Sequence, residues 1–341
     1  MKIGIITVHD SANFGSFLQA YAFKETLVKM GHDVYFIKTR NRKDTFKVFV
    51  KKSRHIKKVI FNLRKYSKFI KEINKFKEIE IDNLDENSLD VLIIGSDELW
   101  NVNTPVFRKE CFYGINIPVK KKIAYAISSG NASYSDISKY PNLINGIKKL
   151  DEIFIRDDLT KHNIKKITGK ECDFTCDPTF LVDIKYLQKE YNVPIKDKYI
   201  LIYSYEFNNK QKEFIIKFAS KYNLKVVSAG LYNDWCDMNI NCTPLEFSDI
   251  IRKSGYVITT TFHGTIFSIL NKKEFITFEG SNKVKDVLNR TGLNDRLFNI
   301  DRTFCEFEKI LTEKLDSSEI NKKILALREK SLKKLEKELN I

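Results

Sequence analysis

No stretch of this 341-residue chain approaches the ~20 consecutive apolar residues that a membrane-spanning helix needs. The apolar start ends at Val8 and meets His9-Asp10, too short a run for a secretory signal, so the expected location is the cytoplasm. The six cysteines include no CxxC pair, which argues against a disulfide scaffold or a zinc ribbon. Cys172 and Cys176 stand four apart around an apparent strand with no histidine or further cysteine pair nearby, and read as free thiols. No cluster of metal-ligand type is visible, so no metal is expected. A GxGxxG turn is missing, which weakens any nicotinamide-cofactor reading. So is a short internal period, which sets aside solenoids.

Acidic residues are scarce in one place. Between Arg40 and Lys77 stand fifteen Lys/Arg against only Asp44 and Glu72, so this segment holds +13 of the formal net charge of +15. Ile56, Val59, Ile60, Leu63, Tyr66, Phe69, Ile70, Ile73 and Phe76 recur there at helical spacing. Two readings stand side by side. In one, an amphipathic insertion at about 43–80 covers the first sheet and leaves its lysines in water. In the other, the same face makes peripheral contact with an anionic membrane. The segment matches none of the standard nucleic-acid modules, and no nucleic-acid partner is expected.

The rest alternates short apolar runs with helical patterns. Strands are expected at 2–8, 33–38, 91–95, 122–127, 152–156 and 173–176, with a helix at 16–30. After a polar join around 183–197 the pattern restarts, with strands at 199–205, 224–229, 256–261 and 274–278. Such order predicts parallel sheets with right-handed crossovers. The economical architecture is α/β, with two Rossmann-like domains facing across a cleft: residues 1–183, residues 198–316, and a C-terminal helix at 317–341.

Five motifs sit where such strands meet their helices. Asn13-Phe14-Gly15-Ser16 opens the first helix; Gly15 allows the tight turn, and Asn13 or Ser16 can cap it. In Ile93-Ile94-Gly95-Ser96-Asp97-Glu98-Leu99-Trp100-Asn101 the polar residues follow a strand's carboxyl end, where ligands of parallel sheets bind, so Asp97 and Asn101 are candidates and Trp100 reads as core. Phe154-Ile155-Arg156-Asp157-Asp158 offers a guanidinium for a phosphate or carboxylate, or a local salt bridge at the helix start. Cys176-Asp177-Pro178 ends the first half, with Asp177 either capping or lining the cleft. Finally, Thr259-Thr260-Thr261-Phe262-His263-Gly264-Thr265 delivers an imidazole to a helix mouth, where N–H groups and the helix dipole favour an anion.

Taken in order, these motifs resemble the landmarks of the polysaccharide pyruvyl transferase family, from Lys2 to Thr265 and more weakly over 275–296. The resemblance implies a GT-B-like fold. It also implies transfer of pyruvyl from phosphoenolpyruvate to a sugar of a cell-envelope polysaccharide or its lipid-linked precursor, with no cofactor beyond that co-substrate. It makes His263 the catalytic residue. Arg156, Lys283, Gly264 and Thr265 fall on the donor side, with Lys272 and Lys273 as rivals of Lys283. Asn13, Gly15, Ser16, Asp97, Asn101 and Asp177 fall on the acceptor or cleft side. Thr261 departs from the pattern, since some members carry arginine there; Arg252, Arg290 and Arg296 are the candidates to replace that charge. Two rival readings are a glycosyltransferase using a nucleotide-sugar, and a non-catalytic protein binding membranes or polyanions through its basic segment.

Overall fold

A computed structural model describes residues 1–40, 42–49, 55–195 and 198–340. Within them the apolar runs form two parallel sheets. The first takes β1 (Lys2–Ile6), β2 (Asp33–Lys38), β3 (Glu78–Glu80), β4 (Val91–Ile94), β5 (Lys121–Ile127), β6 (Glu152–Ile155) and β7 (Asp173–Phe174) in the order 3-2-1-4-5-6-7. The second takes β8 (Tyr199–Tyr203), β9 (Lys225–Ala229), β10 (Met238–Ile240), β11 (Tyr256–Thr259), β12 (Glu274–Phe278) and β13 (Leu297–Phe298) in the order 10-9-8-11-12-13. Every strand pair is parallel, so each connection carries the chain back over a face and buries both sides of the central strands. In each sheet the strand order reverses beside the first strand of that half, and such a switch opens a crevice at the strands' carboxyl ends.

The helices of the first half are α1 (Phe14–Lys29), α2 (Arg42–Phe49), α3 (Ile56–Ile73), α4 (Tyr134–Ile137), α5 (Pro141–Lys148) and α6 (Asp158–Thr168). Those of the second are α7 (Asn209–Lys221), α8 (Pro244–Lys253), α9 (Phe262–Leu270), α10 (Asn282–Thr291) and α11 (Phe304–Thr312), and α12 (Ser317–Glu338) follows. None of the described helices is long and apolar enough to cross a membrane.

One apolar core runs from the first sheet through α1 into the second half, while separate cores fill the outer face of each sheet. Phe14 at the start of α1 lies between Phe69 of α3 and Phe247 of α8, with ring centroids at 5.9 and 5.5 Å. The two halves are therefore joined by packed aromatic surface behind the cleft. The last helix crosses back as well. Ile320, Ile324 and Leu335 of α12 are buried, and Arg328 donates to the carbonyls of Phe180 and Val182, both at 2.6 Å.

The basic insertion resolves into two helices and an edge strand, and residues 50–54 lie outside the described region. Its polarity differs from a simple amphipathic cover. Phe69 and Ile73 face inward as expected, but so do Phe61, Lys65 and Glu72, whereas Ile56, Ile60 and Leu63 are exposed. Lys65 donates to the Ala12 carbonyl at 2.6 Å and lies over the Phe14 ring, and burial pushes its ammonium pKa down to about 7.

Candidate functional site

The first half delivers its polar groups from the carboxyl ends of neighbouring strands. Asn13 is the N-cap of α1, its side chain accepting from the Gly15 N–H at 2.8 Å. That leaves the Ser16 hydroxyl free to donate to Asp97 Oδ2 at 2.8 Å. Asp97 follows β4 with φ of 85°, a conformation that costs a non-glycine residue about a kcal/mol or more, and it is held there by Ser16 and by Arg156. Arg156 ends β6. Its Nη2 donates to Asp97 Oδ1 and its Nη1 to Asp177 Oδ2, each at 3.1 Å. The acids next to it in sequence do other work: Asp157 caps α6 through Thr160, and Asp158 pairs with Arg290. Asp177 both caps and faces the site, since Oδ1 accepts from the N–H and hydroxyl of Thr179 while Oδ2 meets Arg156.

The second half contributes hydroxyls, aromatic rings and one imidazole. Thr261 caps α9 by accepting from the Gly264 N–H at 3.0 Å, and its hydroxyl touches that of Thr259 at 3.0 Å. A side chain at 264 would place Cβ 2.2 Å from Thr259 Oγ1, so glycine is required there. His263 is then presented toward the first half. Its Nε2 lies 3.6 Å from Asp177 Oδ2, inside ion-pair range but beyond hydrogen-bond length. It is a buried nitrogen with no hydrogen-bond partner among the described residues, as is Arg156 Nε. The ring packs directly on Gly15, where a Cβ would lie 2.2 Å from Cγ and Nδ1 of the imidazole. Phe262 stands between two cations, 4.8 Å from the Arg156 guanidinium and 5.1 Å from Lys283 Nζ.

A cavity of about 260 Å³ opens between these rims, lined by Asn13 and Asp97 on one side and by Tyr203, Tyr205, Thr260, Phe262, His263 and Lys283 among others on the second. Three carboxylates (Asp97, Glu98, Asp177) surround two permanent cations. Burial pushes the Asp97 carboxyl up, but attraction to Arg156, Lys283 and His263 outweighs it and holds the group well below the usual range. Asp177 is likewise opposed by burial and drawn down by His263 and Arg156. Glu98 is lowered because its contact with Lys283 outweighs burial. All three are therefore ionised at neutral pH.

Of the residues expected at the site, Asn13, Gly15, Ser16, Asp97, Arg156, Asp177, His263 and Lys283 are brought together by these contacts. Arg156 does not face the cavity: it is buried, and both of its terminal nitrogens are held by acids. Gly264 and Thr265 lie behind the cavity wall. The Gly264 N–H is spent on Thr261, and the buried Thr265 hydroxyl contacts the Thr261 carbonyl and Thr277. Of the N–H groups that open α9, that of Gly264 is thus taken by the Thr261 cap and that of Thr265 by the Thr261 carbonyl. Asn101 donates to Glu98 at 3.1 Å, one shell away, and Trp100 is core, as expected. Lys273 reaches the Arg252 carbonyl instead of the cavity, and Arg252, Arg290 and Arg296 are engaged with Asp249, Asp158 and the backbone of Ile310 and Glu313. Position 261 thus carries a cap, and none of those three arginines lines the cavity. Glu98, Tyr203, Tyr205, Thr260 and Ser281 escaped the sequence reading. The tyrosines follow the same strand-end rule that singled out Asp97, and that rule was available for β8.

The model of the polysaccharide pyruvyl transferase family matches residues 13–282, which takes in every motif from Asn13 to His263. No curated protein matches the chain. Solved structures share its fold at low identity. A UDP-N-acetylglucosamine 2-epimerase is 12% identical with a TM-score of 0.56, over 98% of this chain and 95% of that one. The Methanocaldococcus jannaschii UDP-GlcNAc 2-epimerase in complex with UDP-GlcNAc and UDP is 14% identical with a TM-score of 0.53, over 96% and 99%. Arabidopsis thaliana UGT89C1 complexed with UDP-L-rhamnose is 10% identical with a TM-score of 0.50, over 97% and 94%. These likenesses place the two sheets in the GT-B arrangement.

Proposed function

The chain belongs to the polysaccharide pyruvyl transferase family, and from that premise we propose that it moves a pyruvyl group from phosphoenolpyruvate to two hydroxyls of one sugar. The acceptor is a cell-envelope polysaccharide or its lipid-linked precursor, and the work is done on the cytoplasmic side. The observation that carries this reading is the placement of His263: a buried imidazole nitrogen without a hydrogen-bond partner among the described residues, beside an ionised Asp177, on the wall of a cavity that also holds Lys283.

In this reading His263 donates a proton to the methylene carbon of phosphoenolpyruvate, making the central carbon electrophilic. A sugar hydroxyl adds to that carbon and loses its proton to the imidazole. Phosphate leaves, and the second hydroxyl closes the ketal as its proton passes to the departing phosphate. Asp177 stabilises the imidazolium phase of this cycle and fixes the ring from one side, while Gly15 leaves room for it on the other. Arg156 serves by holding Asp97 and Asp177 in place, a positioning role. Lys283 is the cation that faces the donor, and its partner Glu98 must yield when the phosphate or carboxylate arrives. Tyr205, 62% exposed at the end of β8, offers a ring face to the acceptor sugar.

The test is release of inorganic phosphate from phosphoenolpyruvate with candidate acceptors, run beside release of nucleotide from UDP-sugars. His263→Ala is expected to lower the phosphate rate by about 10²–10⁴-fold. Nucleotide release with no phosphate release would replace this reading with a glycosyltransferase. Phosphate release indifferent to His263→Ala would remove the mechanism.

A further inference from the structure

Helix α3 wears its polarity inside out along its first three turns. Lys65 and Glu72 point inward, while Ile56 (75% exposed), Ile60 (46%) and Leu63 (41%) project into water together with Arg64, Ser67 and Lys71. At 100° per residue these six side chains fall on one stripe, opposite the buried Phe61, Lys65 and Phe69. Glu72 is the only acid in α3 and it is buried, so the outer stripe is aliphatic at its start and basic toward its end. Phe46 of α2 adds a fourth exposed apolar side chain, 41% accessible and edge-on to Tyr66 of α3, beside the exposed Lys43 and Lys47.

The geometry points to the outer face of α3, extended by α2, as a docking surface for a bilayer bearing anionic headgroups. An amphipathic helix with aliphatic side chains for the acyl boundary and lysines for the headgroups suits that surface. The charge of the segment selects it over the other occupants. A second copy would set the exposed Lys57, Arg64 and Lys71 against their own counterparts with no acid on that face of α3 to answer them, and a neutral protein groove would leave these charges unanswered. The position gives the contact a use. On its inner side α3 holds the Ala12 carbonyl through Lys65 and the Asn241 carbonyl through Lys68, while Asn13, next to Ala12, lines the cavity. A docked α3 therefore brings the cavity rim to the membrane. This contact does not depend on which reaction the cavity performs.

The experiment is co-flotation of the full-length protein with vesicles of phosphatidylcholine alone or mixed with phosphatidylglycerol, at low and high salt. Binding to the mixed vesicles only, weakened by salt, is expected. Ile60→Ser combined with Leu63→Ser should reduce it at least tenfold, and Lys57→Ala or Lys71→Ala about fivefold each. Ile216→Ser, on an exposed apolar residue of α7, is the control expected to change nothing. All these positions are exposed, so thermal unfolding should stay near wild type and confirm intact folding. No binding to mixed vesicles, equal binding to both, or binding untouched by the double variant would each overturn the proposal. So would a concentration-dependent dimer that the double variant dissolves while no vesicle is bound.

Discussion

The rim built on the first sheet carries Asp97, Glu98, Arg156 and Asp177, whereas the rim built on the second carries Tyr203, Tyr205, Thr260, Thr261 and Ser281 around His263 and Lys283. One is a locked ionic lattice; the other is a bed of neutral donors with one imidazole and one lysine. Parallel sheets of the same architecture have thus been given opposite duties. The buried ion network of the first half fixes geometry, because each of its acids already has a charged partner. In the second half His263, whose Nε2 has no hydrogen-bond partner among the described residues, lines the cavity, whereas Arg156 of the first half, with its own unpartnered Nε, does not.

Removing the keystone of the ionic rim is the strongest way to break this contrast. Arg156→Met leaves Asp97 and Asp177 buried without their guanidinium and is expected to destabilise the fold by about 3–5 kcal/mol at pH 7 in urea titrations. The pH dependence has a definite sign. In the wild type both carboxyls are held below the usual range, so their contribution is complete above about pH 4 and drains away as pH falls through their depressed values. In the variant burial loses one of its main opponents while Lys283, His263, Ser16 and Thr179 remain, so both carboxyls rise from their wild-type positions and acid relieves part of the cost. The gap between the two proteins should therefore be widest at neutral pH and shrink toward pH 3. A constant gap would mean that Arg156 acts by packing alone.

Gly15→Ala strikes the contact between the rims. Its Cβ would overlap the His263 ring, which must shift, and the expected result is a loss of about 1–3 kcal/mol in thermal stability. Turnover should fall about 10²-fold, because a displacement near 1 Å at a reacting group is costly. Loss of stability with normal turnover would show that the imidazole does not need its place against α1.

Glu98→Gln makes the smallest and most diagnostic change. It releases Lys283 and removes one negative charge, so KM for phosphoenolpyruvate should drop about three- to tenfold, on the order of 1 kcal/mol, with kcat little altered. An unchanged or higher KM would place the donor elsewhere in the cleft.

Much of this was readable in the chain itself. The central strands are unbroken apolar runs because they are covered on both faces, and their ends mark where ligands sit, which is how His263, Asp97, Arg156 and Asp177 stood out. The edge strands did not: Glu78-Ile79-Glu80 and Leu297-Phe298 are too short or too charged to read as sheet. Partnerships were also hidden. Arg156 stands beside Asp157 and Asp158 in sequence, yet its partners lie 59 and 21 residues away and are set by topology alone. Helix α3 misled for a different reason. Helical spacing reveals that apolar residues share a helix, but the side chosen for burial is decided by what packs there, and here Phe14 and the Ala12 carbonyl selected the side that holds Lys65.

The hydroxyl of Ser331 on α12 accepts from the Cys176 N–H at 3.0 Å, immediately before the Asp177 turn, and Arg328 grips the carbonyls just beyond it. The turn that presents Asp177 is thus braced by a helix lying 155 residues further along the chain. Its shape is set by a distant element that does not line the cavity, so loosening α12 would disturb Asp177 from behind.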